Sequence, residues 1–288
     1  MTTNSIPASI EVTPGQAQSS EELPYLFPPG THVYLTDIGT DTPEVLAAAA
    51  KRVRELGYEP VPHVAARRLP SRDVLAERVE RLSGEAGVRD VLVIGGGLDK
   101  PAGPFTSTMD VLDTGLLDAK GIRRIGVAGH PEGSPDFDEL AAIEALRTKR
   151  EFAQRTDADL RIVTQFGFDS PGMIAWANSL AAHGVDLPVH MGVAGPATLK
   201  TLMKFAALCG VGASVSFLKR NALRLASLAT TQSPEGVVAP IEAQWRASPG
   251  DPIAKIHVFP FGGLSKASAW LTERGSWPDR TVASLAAE

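Results

Sequence analysis

A glutamate near the N-terminus is the first candidate for chemistry. The run Ser9-Ile10-Glu11-Val12-Thr13 alternates polar and apolar side chains, so Ile10 and Val12 face one way and Glu11 the other. If the apolar pair packs beneath outer helices, Glu11 points into the mouth of the fold. Partial desolvation there would raise the pKa of the carboxyl and suit it to general acid catalysis. The alternative is an exposed glutamate on an N-terminal strand, and the pattern alone weighs the two equally.

Four further polar residues are candidates for ligand binding. His63 ends the third apolar run, His130 follows the fifth, and Gln165 ends the sixth. Gln165 is suited to orient the polar edge of a ligand, although a hydrogen-bonded core amide is an equal alternative. Each histidine is either a functional group or a structural hydrogen-bonding residue. Lys149 lies on a long helical stretch, where a solvated lysine is the alternative to a phosphate-binding one.

Several classes of site are excluded. The chain has one cysteine, Cys209, so a disulfide framework and a cysteine-rich metal site are both excluded. No H-x-x-x-H spacing occurs, and we therefore expect no metal site. Ser170 and Ser216 have no convincing histidine and aspartate partners in sequence, which argues against a hydrolase triad.

The elements that must position these residues follow an alternating pattern. Short runs rich in Val and Ile predict eight strands, and the intervening segments have helix start and stop signals. The predicted strands are Ser9–Thr13, His32–Asp37, Pro60–Val64, Asp90–Gly95, Arg124–Ala128, Leu160–Phe166, Pro188–Val193 and Lys255–Phe261. The predicted helices are Thr42–Leu56, Ser71–Leu82, Met109–Leu117, Phe137–Arg155, Pro171–His183, Pro196–Leu208 and a closing helix Ser265–Thr272.

This alternation predicts an α/β fold, a (β/α)8 TIM barrel in a single domain over residues 1–288. Strands alternating with helices pair in parallel, and eight is the number that closes such a barrel. An open doubly wound sheet is the alternative, weighed at about one to three, because Gly95-Gly96-Gly97 lacks the G-x-G-x-x-G pattern that opens a helix. Ala213–Ala243 is interpreted as an elaborated helical connection before the last strand, with helical material around Leu223–Leu228.

Composition and charge narrow the functional class. The 28 basic and 33 acidic side chains give a formal net charge of −5, which argues against nucleic acid as a partner. Charged residues make up 21% and hydrophobic residues 43%, as in globular proteins. Met1 to Gly15 carries no secretory signal, and no apolar run approaches the roughly 20 residues that span a bilayer. We therefore expect a soluble cytoplasmic protein without a membrane partner; its oligomeric state stays open.

Four stretches of the sequence resemble the methylenetetrahydrofolate reductases. The most specific is Arg124–Pro135, RIGVAGHPEGSP, which is similar to the family's V-A-G-Y-P-E-G-H-P signature. Ile162–Asp169, IVTQFGFD, is similar to the family's I-T-Q-F-F-F-D. Ser9–Pro14, SIEVTP, resembles S-F-E-F-F-P-P, and Gly192–Pro196 stands where the family has G-I-L-P. The matches occur in the right order across nearly the whole chain, and the fold that the resemblance implies is again a (β/α)8 barrel.

The resemblance also implies roles for individual residues. Glu11 matches the family's catalytic acid, and Gln165 matches the amide that contacts the pterin. Thr36, His63 and Lys149 match positions that contact the flavin.

Other positions depart from the family's residues. Gly97 stands where the family has an aspartate between flavin and folate, and Asp99 substitutes for it only if the loop reroutes. His130 replaces the signature tyrosine beside the cofactor. Leu199 replaces the aromatic residue that stacks on folate or nicotinamide. Ala142 and Ala145 replace flavin-contacting Asp and Asn residues.

The function implied is interconversion of 5,10-methylenetetrahydrofolate and 5-methyltetrahydrofolate, a step of one-carbon metabolism and methionine biosynthesis. A tetrahydrofolate derivative is then the substrate, and NADH or NADPH is the source of hydride. FAD is the family's cofactor, but the departures at Gly95, Gly97, Ala142 and Ala145 favour weak flavin binding and direct hydride transfer from nicotinamide. The alternative function is a non-reductive folate-binding protein or a methyl-transfer partner on the same barrel.

Overall fold

Eight parallel strands form a closed barrel. The computed structural model describes residues 5–134, 137–209, 211, 230–248 and 250–278. The strands are β1 (Ala8–Val12), β2 (His32–Leu35), β3 (Glu59–Ala65), β4 (Asp90–Ile94), β5 (Arg124–Gly129), β6 (Asp159–Thr164), β7 (Val189–Ala194) and β8 (Ile253–Phe259). Their order around the barrel is β1-β8-β7-β6-β5-β4-β3-β2. The predicted (β/α)8 barrel is confirmed, and the open sheet is excluded.

Helices follow the strands as the alternation predicts. They are α1 (Pro14–Ser19), α2 (Pro43–Glu55), α3 (Arg72–Glu85), α4 (Thr108–Leu112), α5 (Leu116–Ala119), α6 (Glu139–Arg155), α7 (Ser170–Ser179), α8 (Leu199–Leu208), α9 (Glu235–Ala247) and α10 (Leu264–Glu273). Short 3-10 turns span Leu23–Tyr25, Ala66–Arg68 and Leu180–His183. A two-residue antiparallel pair joins Ala197–Thr198 to Thr231–Gln232.

Local sequence explains where the principal helices begin. In α2 the Thr42 side chain accepts a hydrogen bond from the Val45 N–H, and Pro43 occupies the first turn. Asp138 accepts from the Ala141 N–H at 2.8 Å, which is why α6 begins at Glu139 and not at the predicted Phe137. Capping side chains therefore fix helix starts more precisely than the apolar periodicity does.

One predicted helix is divided into two in the structure. The segment Met109–Leu117 forms two short helices, α4 and α5, with a turn between them. The Thr114 hydroxyl donates to the Val111 carbonyl and accepts from the Leu116 N–H. Gly115 has a φ of 69° in this turn, a left-handed conformation that favours glycine. The turn interrupts the helix because its backbone groups are already paired with Thr114.

Two further helices begin or end at residues that differ from the predicted ones. The stretch Pro171–His183 is helical to Ser179 and continues as a 3-10 turn. The stretch predicted from Pro196 becomes α-helical only at Leu199, since Thr198 is extended and caps the helix by accepting from the Thr201 N–H. The connection predicted before the last strand contains α9 in its described part. Leu223–Leu228 lies outside the described residues.

Contacts divide the chain into two compact units. The first, here the Glu11 unit, comprises Ile10–Ala128 and Glu151–Ile162. The second, the Gln165 unit, comprises Met1–Ser9, Gly129–Arg150 and Val163–Glu288. Among the residues that the structure describes, no helix has both the length and the apolar character required to cross a membrane.

Candidate active site

In the Glu11 unit, a carboxylate and an imidazole face each other near the ends of their strands. Glu11 is the penultimate residue of β1, and its neighbours Ile10 and Val12 are 0% and 2% exposed. The Glu11 Oε1 lies 3.4 Å from the His63 Nε2 of β3, and the side chains are 13% and 8% exposed respectively. Their burial strengthens the interaction between carboxylate and imidazole because little water screens it. The structure thus pairs a candidate acid with a group that exchanges protons near neutral pH.

A second polar network lies around this pair. Tyr34 is the register partner of Glu11, and its ring meets the His63 ring edge-on at 6.1 Å. The Tyr34 hydroxyl accepts hydrogen bonds from Arg161 at 3.1 and 2.9 Å, and Arg161 also donates to Asp90 at 2.7 Å. Burial raises the pKa of Tyr34 to about 12, with Asp90 and Glu11 adding to the effect and Arg161 opposing it. Tyr34 is therefore a neutral hydroxyl at physiological pH.

In the Gln165 unit, Gln165 itself directly follows β6. Its side-chain amide is the candidate predicted from the sequence to orient the polar edge of a ligand. Gln165 is half-buried, and its backbone N–H donates to the Gly129 carbonyl at the end of β5. Its side-chain oxygen accepts from the Phe166 N–H at 3.1 Å. These bonds position the carboxamide at the carboxyl end of the strand, where barrels carry their functional groups.

Glu132 joins the two most specific sequence motifs. Its Oε1 accepts hydrogen bonds from the N–H groups of Phe168 at 2.8 Å and Asp169 at 3.3 Å. An ideal Cβ on Gly167 would lie 2.5 Å from that oxygen and 2.8 Å from the Met173 Sδ. The position therefore has no room for a side chain unless its neighbours move. The sequence placed Glu132 within a motif but carried no signal of this role.

Lys149 is a buried cation of α6. It is 8% exposed, and burial lowers its pKa from 10.5 to about 8. Within the described part of the chain, no carboxylate lies at ion-pair distance from its ammonium group. A buried ammonium without a counter-charge fits an anionic ligand. Phosphate groups, which both FAD and a nicotinamide dinucleotide carry, satisfy that requirement.

The other positions matched to the cofactor site differ in environment. Thr36 is half-buried and follows β2, where its N–H donates to the Val12 carbonyl. His130 is half-buried and meets the Phe137 ring edge-on at 5.0 Å. Ala142 is half-buried and Ala145 is exposed, so neither supplies a polar contact. The residues present therefore include groups that can bind phosphate, but positions 142 and 145 lack the polar side chains that would contact an isoalloxazine ring.

Two arginines secure the glycine loop that follows β4. Arg68 donates to the Gly96 carbonyl at 2.8 Å, while Arg67 donates through its side chain to Leu98 and through its backbone to Gly95. Sequence reasoning missed both arginines, because consecutive surface-type cations carry no signal of such a role. Two residues expected in the site, Gly97 and Asp99, are exposed in this loop.

Leu199 does not present a surface to a ligand. It is fully buried in an apolar cluster that also contains Phe166 and Phe168, whereas the resemblance implies contact with the substrate at this position. The physical reason is that α8 begins at Leu199 and packs its first turn inward. Half-buried aromatic rings instead belong to Phe205 and Phe261, which stack with centroids 4.2 Å apart. The Phe-Pro-Phe run at residues 259–261 is a sequence signal for Phe261, but it does not include Phe205.

The described residues offer acid–base and anion-binding groups but no metal centre. No group of three or more His, Cys, Asp or Glu side chains in those ranges is arranged to hold a metal ion. Cys209 is exposed and forms no disulfide. The chemistry on offer is therefore proton transfer by Glu11 and His63, amide recognition by Gln165, and anion binding by Lys149.

Curated relatives confirm the resemblance seen in the motifs. Methylenetetrahydrofolate reductase 1 of Schizosaccharomyces pombe (strain 972 / ATCC 24843) is 30% identical over 198 residues, which is 65% of this chain and 28% of the relative. The 5,10-methylenetetrahydrofolate reductase of Pectobacterium carotovorum subsp. carotovorum is 28% identical over 166 residues, 56% of this chain and 52% of the relative. The match thus spans about half or less of each relative's length. The chain matches no protein-family model.

Solved structures share the fold at low sequence identity. An uncharacterized protein from Clostridium thermocellum, described as binding two copies of 5-methyl-5,6,7,8-tetrahydrofolic acid, superposes with a TM-score of 0.58 and 10% identity. That match covers 94% of this chain and 96% of the other. A 2,3-dimethylmalate lyase of the PEP mutase/isocitrate lyase superfamily gives a TM-score of 0.50 and 13% identity, covering 94% and 80%. These likenesses support the barrel architecture.

Proposed function

We propose that this chain, similar in sequence to methylenetetrahydrofolate reductases, interconverts 5,10-methylenetetrahydrofolate and 5-methyltetrahydrofolate with NADH or NADPH. The observation that carries the proposal is the buried Glu11 carboxyl facing His63 at 3.4 Å, near the carboxyl end of β1. A folate ligand also has precedent in this architecture, since the Clostridium thermocellum protein is described as binding 5-methyltetrahydrofolate. The site therefore combines a candidate acid with a fold that accommodates the substrate class.

Glu11 supplies the proton that opens the methylene bridge. The bridge joins two folate nitrogens, and protonation of one by Glu11 breaks its bond to the methylene carbon and leaves an iminium on the other. The reduced nicotinamide supplies a hydride to that carbon, giving the methyl product. One proton and one hydride are consumed, so the reaction balances. The protein contributes proton placement and positioning, while hydride chemistry belongs to the nicotinamide.

Gln165 binds the polar edge of the pterin in this proposal. Its carboxamide follows β6, and the loop after it is held by the Glu132 carboxylate through Phe168 and Asp169. An amide carries donors and an acceptor side by side, which matches the alternating donors and acceptors of a pterin edge. Glu132 acts on the substrate only through the loop, so we treat it as a positioning residue.

Lys149 binds a phosphate of the nucleotide in this proposal. The buried ammonium of Lys149 would neutralise a phosphate, and binding would relieve the cost of burying its charge. Alanines at positions 142 and 145 and glycine at 97 remove polar contacts to a flavin ring, and each lost hydrogen bond costs about 1 kcal/mol. We therefore propose that hydride passes directly from nicotinamide to folate, with FAD bound weakly or not at all.

A second candidate function is a non-reductive folate-binding or methyl-transfer partner protein. The observation favouring it is the exposed Gly97, which offers no carboxylate to the reaction centre. The two candidates differ in whether reduced nicotinamide is consumed.

The experiment uses dialysed, purified protein whose visible absorption spectrum shows whether flavin is bound. We expect a colourless preparation that oxidises NADH or NADPH in proportion to the 5-methyltetrahydrofolate formed, with no response to added FAD. Yellow protein that loses activity when flavin is stripped would exclude direct transfer but keep the reductase. Folate binding without nicotinamide oxidation, under either condition, would exclude the reductase and favour the second candidate.

A further inference from the structure

His63, which faces Glu11, is placed to do more than contact a cofactor. After donating its proton, Glu11 is a buried carboxylate and needs a proton before the next turnover. Glu11 is 13% exposed, and the group that faces its carboxylate inside the fold is the His63 imidazole, which is 8% exposed. Resting on the proposed function, we propose that His63 is the proton relay of the site and reprotonates Glu11 in each catalytic cycle.

Geometry supports a direct transfer between the two side chains. The His63 Nε2 lies 3.4 Å from the Glu11 Oε1, a separation that a small side-chain rotation closes to hydrogen-bond distance. His63 lies within β3, with Val64 and Ala65 completing the strand, so its backbone is fixed by the barrel. The pair therefore needs no rearrangement of main chain to exchange a proton.

The other charged and titratable groups around the pair are poor alternatives. Tyr34, on the strand between them, keeps its proton because burial raises its pKa to about 12. Arg161 stays charged, since burial is outweighed by its contacts with Tyr34 and Asp90, which raise its pKa further. Asp90 is held by Arg161 at 2.7 Å. Of these groups, the imidazole alone exchanges protons readily near neutral pH.

The proton balance of the relay is simple. Glu11 gives its proton to the folate nitrogen and becomes a carboxylate. The His63 imidazolium then transfers its Nε2 proton to the Glu11 Oε1, and the neutral ring takes up one proton before the next turnover. No electrons move in this step, and its net consumption of one proton equals that of the reduction. This role differs from the flavin contact that the family resemblance implies for His63.

Comparing one turnover with many tests the relay. Wild-type protein, His63→Gln and the control His183→Gln, which alters an exposed histidine, are mixed with NADH and methylenetetrahydrofolate after equilibration at a pH where Glu11 is protonated. We expect His63→Gln to complete its first turnover at a rate close to that of the wild type. Its steady-state rate should fall by about 10²-fold, the lower end of the range for proton transfer catalysis, and free imidazole should restore part of it. His183→Gln should match the wild type in both phases.

Three results would overturn the relay. These are an unchanged steady-state rate, a first turnover slowed as much as the steady state, and a loss that imidazole does not repair while FAD does. A further measurement is independent of turnover: the His63 ring is titrated by NMR in wild type and in Glu11→Gln. Loss of a nearby carboxylate should lower the pKa of the ring, and an unchanged ring titration also contradicts the relay. If neither protein turns over but the ring titration shifts, the reductase proposal fails while the proton-sharing pair stands.

Discussion

The Glu132 carboxylate holds the backbone of Phe168 by a hydrogen bond of 2.8 Å that spans 36 residues of sequence. The same oxygen accepts from Asp169, so the loop after β5 fixes the loop after β6. Both loops belong to the Gln165 unit, and the second begins with the amide proposed to bind the pterin. The two most specific motifs of the sequence are thus parts of one hydrogen-bonded structure.

Adding a side chain at Gly167 should destabilise the protein, because it would disturb the hydrogen bond between Glu132 and the Phe168 backbone. Gly167→Ala would place a Cβ 2.5 Å from the Glu132 Oε1 and force the carboxylate away from the N–H groups it satisfies. We expect the free energy of unfolding to fall by about 1–3 kcal/mol, measured by denaturant unfolding. Gly236→Ala is the matched control, because nothing lies within 4 Å of the corresponding Cβ in α9. In a Glu132→Ala background the cost of Gly167→Ala should shrink, and strict additivity of the two changes would contradict the coupling.

Substrate affinity should depend on Gln165. Gln165→Ala removes the amide proposed to bind the pterin edge, and losing such hydrogen bonds costs about 1–3 kcal/mol, or roughly 5- to 150-fold in affinity. Calorimetry with 5-methyltetrahydrofolate measures this change, with Gln154→Ala, an exposed glutamine of α6, as the control. Wild-type affinity in Gln165→Ala would assign the residue to the loop structure, where its oxygen already accepts from Phe166.

Turnover should depend on the proton of Glu11. Glu11→Gln keeps the shape of the side chain but has no acidic proton, so folate binding should persist while the rate falls by about 10²–10⁴-fold. The control is Glu21→Gln, which alters an exposed carboxyl. Steady-state kinetics with methylenetetrahydrofolate give the comparison, and a variant retaining more than about a third of wild-type turnover would remove Glu11 from the acid role.

The architecture was predictable because its signals are local. Runs of Val and Ile mark the eight strands, and capping residues such as Thr42 mark the helices, so the barrel follows from counting. The prediction of one helix over Met109–Leu117 is wrong because the Thr114 side chain hydrogen-bonds backbone groups on both sides of it. Apolar periodicity contains no information about such hydrogen bonds.

The candidate site was less predictable because its contacts join distant parts of the chain. Glu11 and His63 were each identified, but their 3.4 Å contact depends on the register of β1, β2 and β3. The loop-anchoring roles of Arg67 and Arg68 depend on a turn that brings them beside Gly96. The burial of Leu199 depends on where α8 begins, which is set by the Thr198 cap.

Lys149 should make the stability of the protein depend on pH in a specific direction. Its pKa is about 8 in the folded protein, against 10.5 for a solvated lysine, so the unfolded chain binds more protons between these limits. Burial of the charged form therefore destabilises the fold below pH 8, and this penalty disappears as the pH rises to 10.5. The pKa falls from 10.5 to about 8, and each pKa unit corresponds to about 1.4 kcal/mol, so the penalty at neutral pH is about 3–4 kcal/mol.

Replacing Lys149 with an apolar side chain of similar length tests both the charge and the ligand proposed for it. Lys149→Met should raise the free energy of unfolding by about 3–4 kcal/mol at about pH 7, and the gain should vanish near pH 10.5. Lys266→Met, which alters an exposed lysine of α10, should show no such pH dependence. Saturating NADH should raise the melting temperature of the wild type more than that of Lys149→Met, because a phosphate neutralises the buried ammonium. Equal NADH shifts in both proteins would place the nucleotide away from Lys149, and a destabilised Lys149→Met at neutral pH would contradict the buried, uncompensated charge.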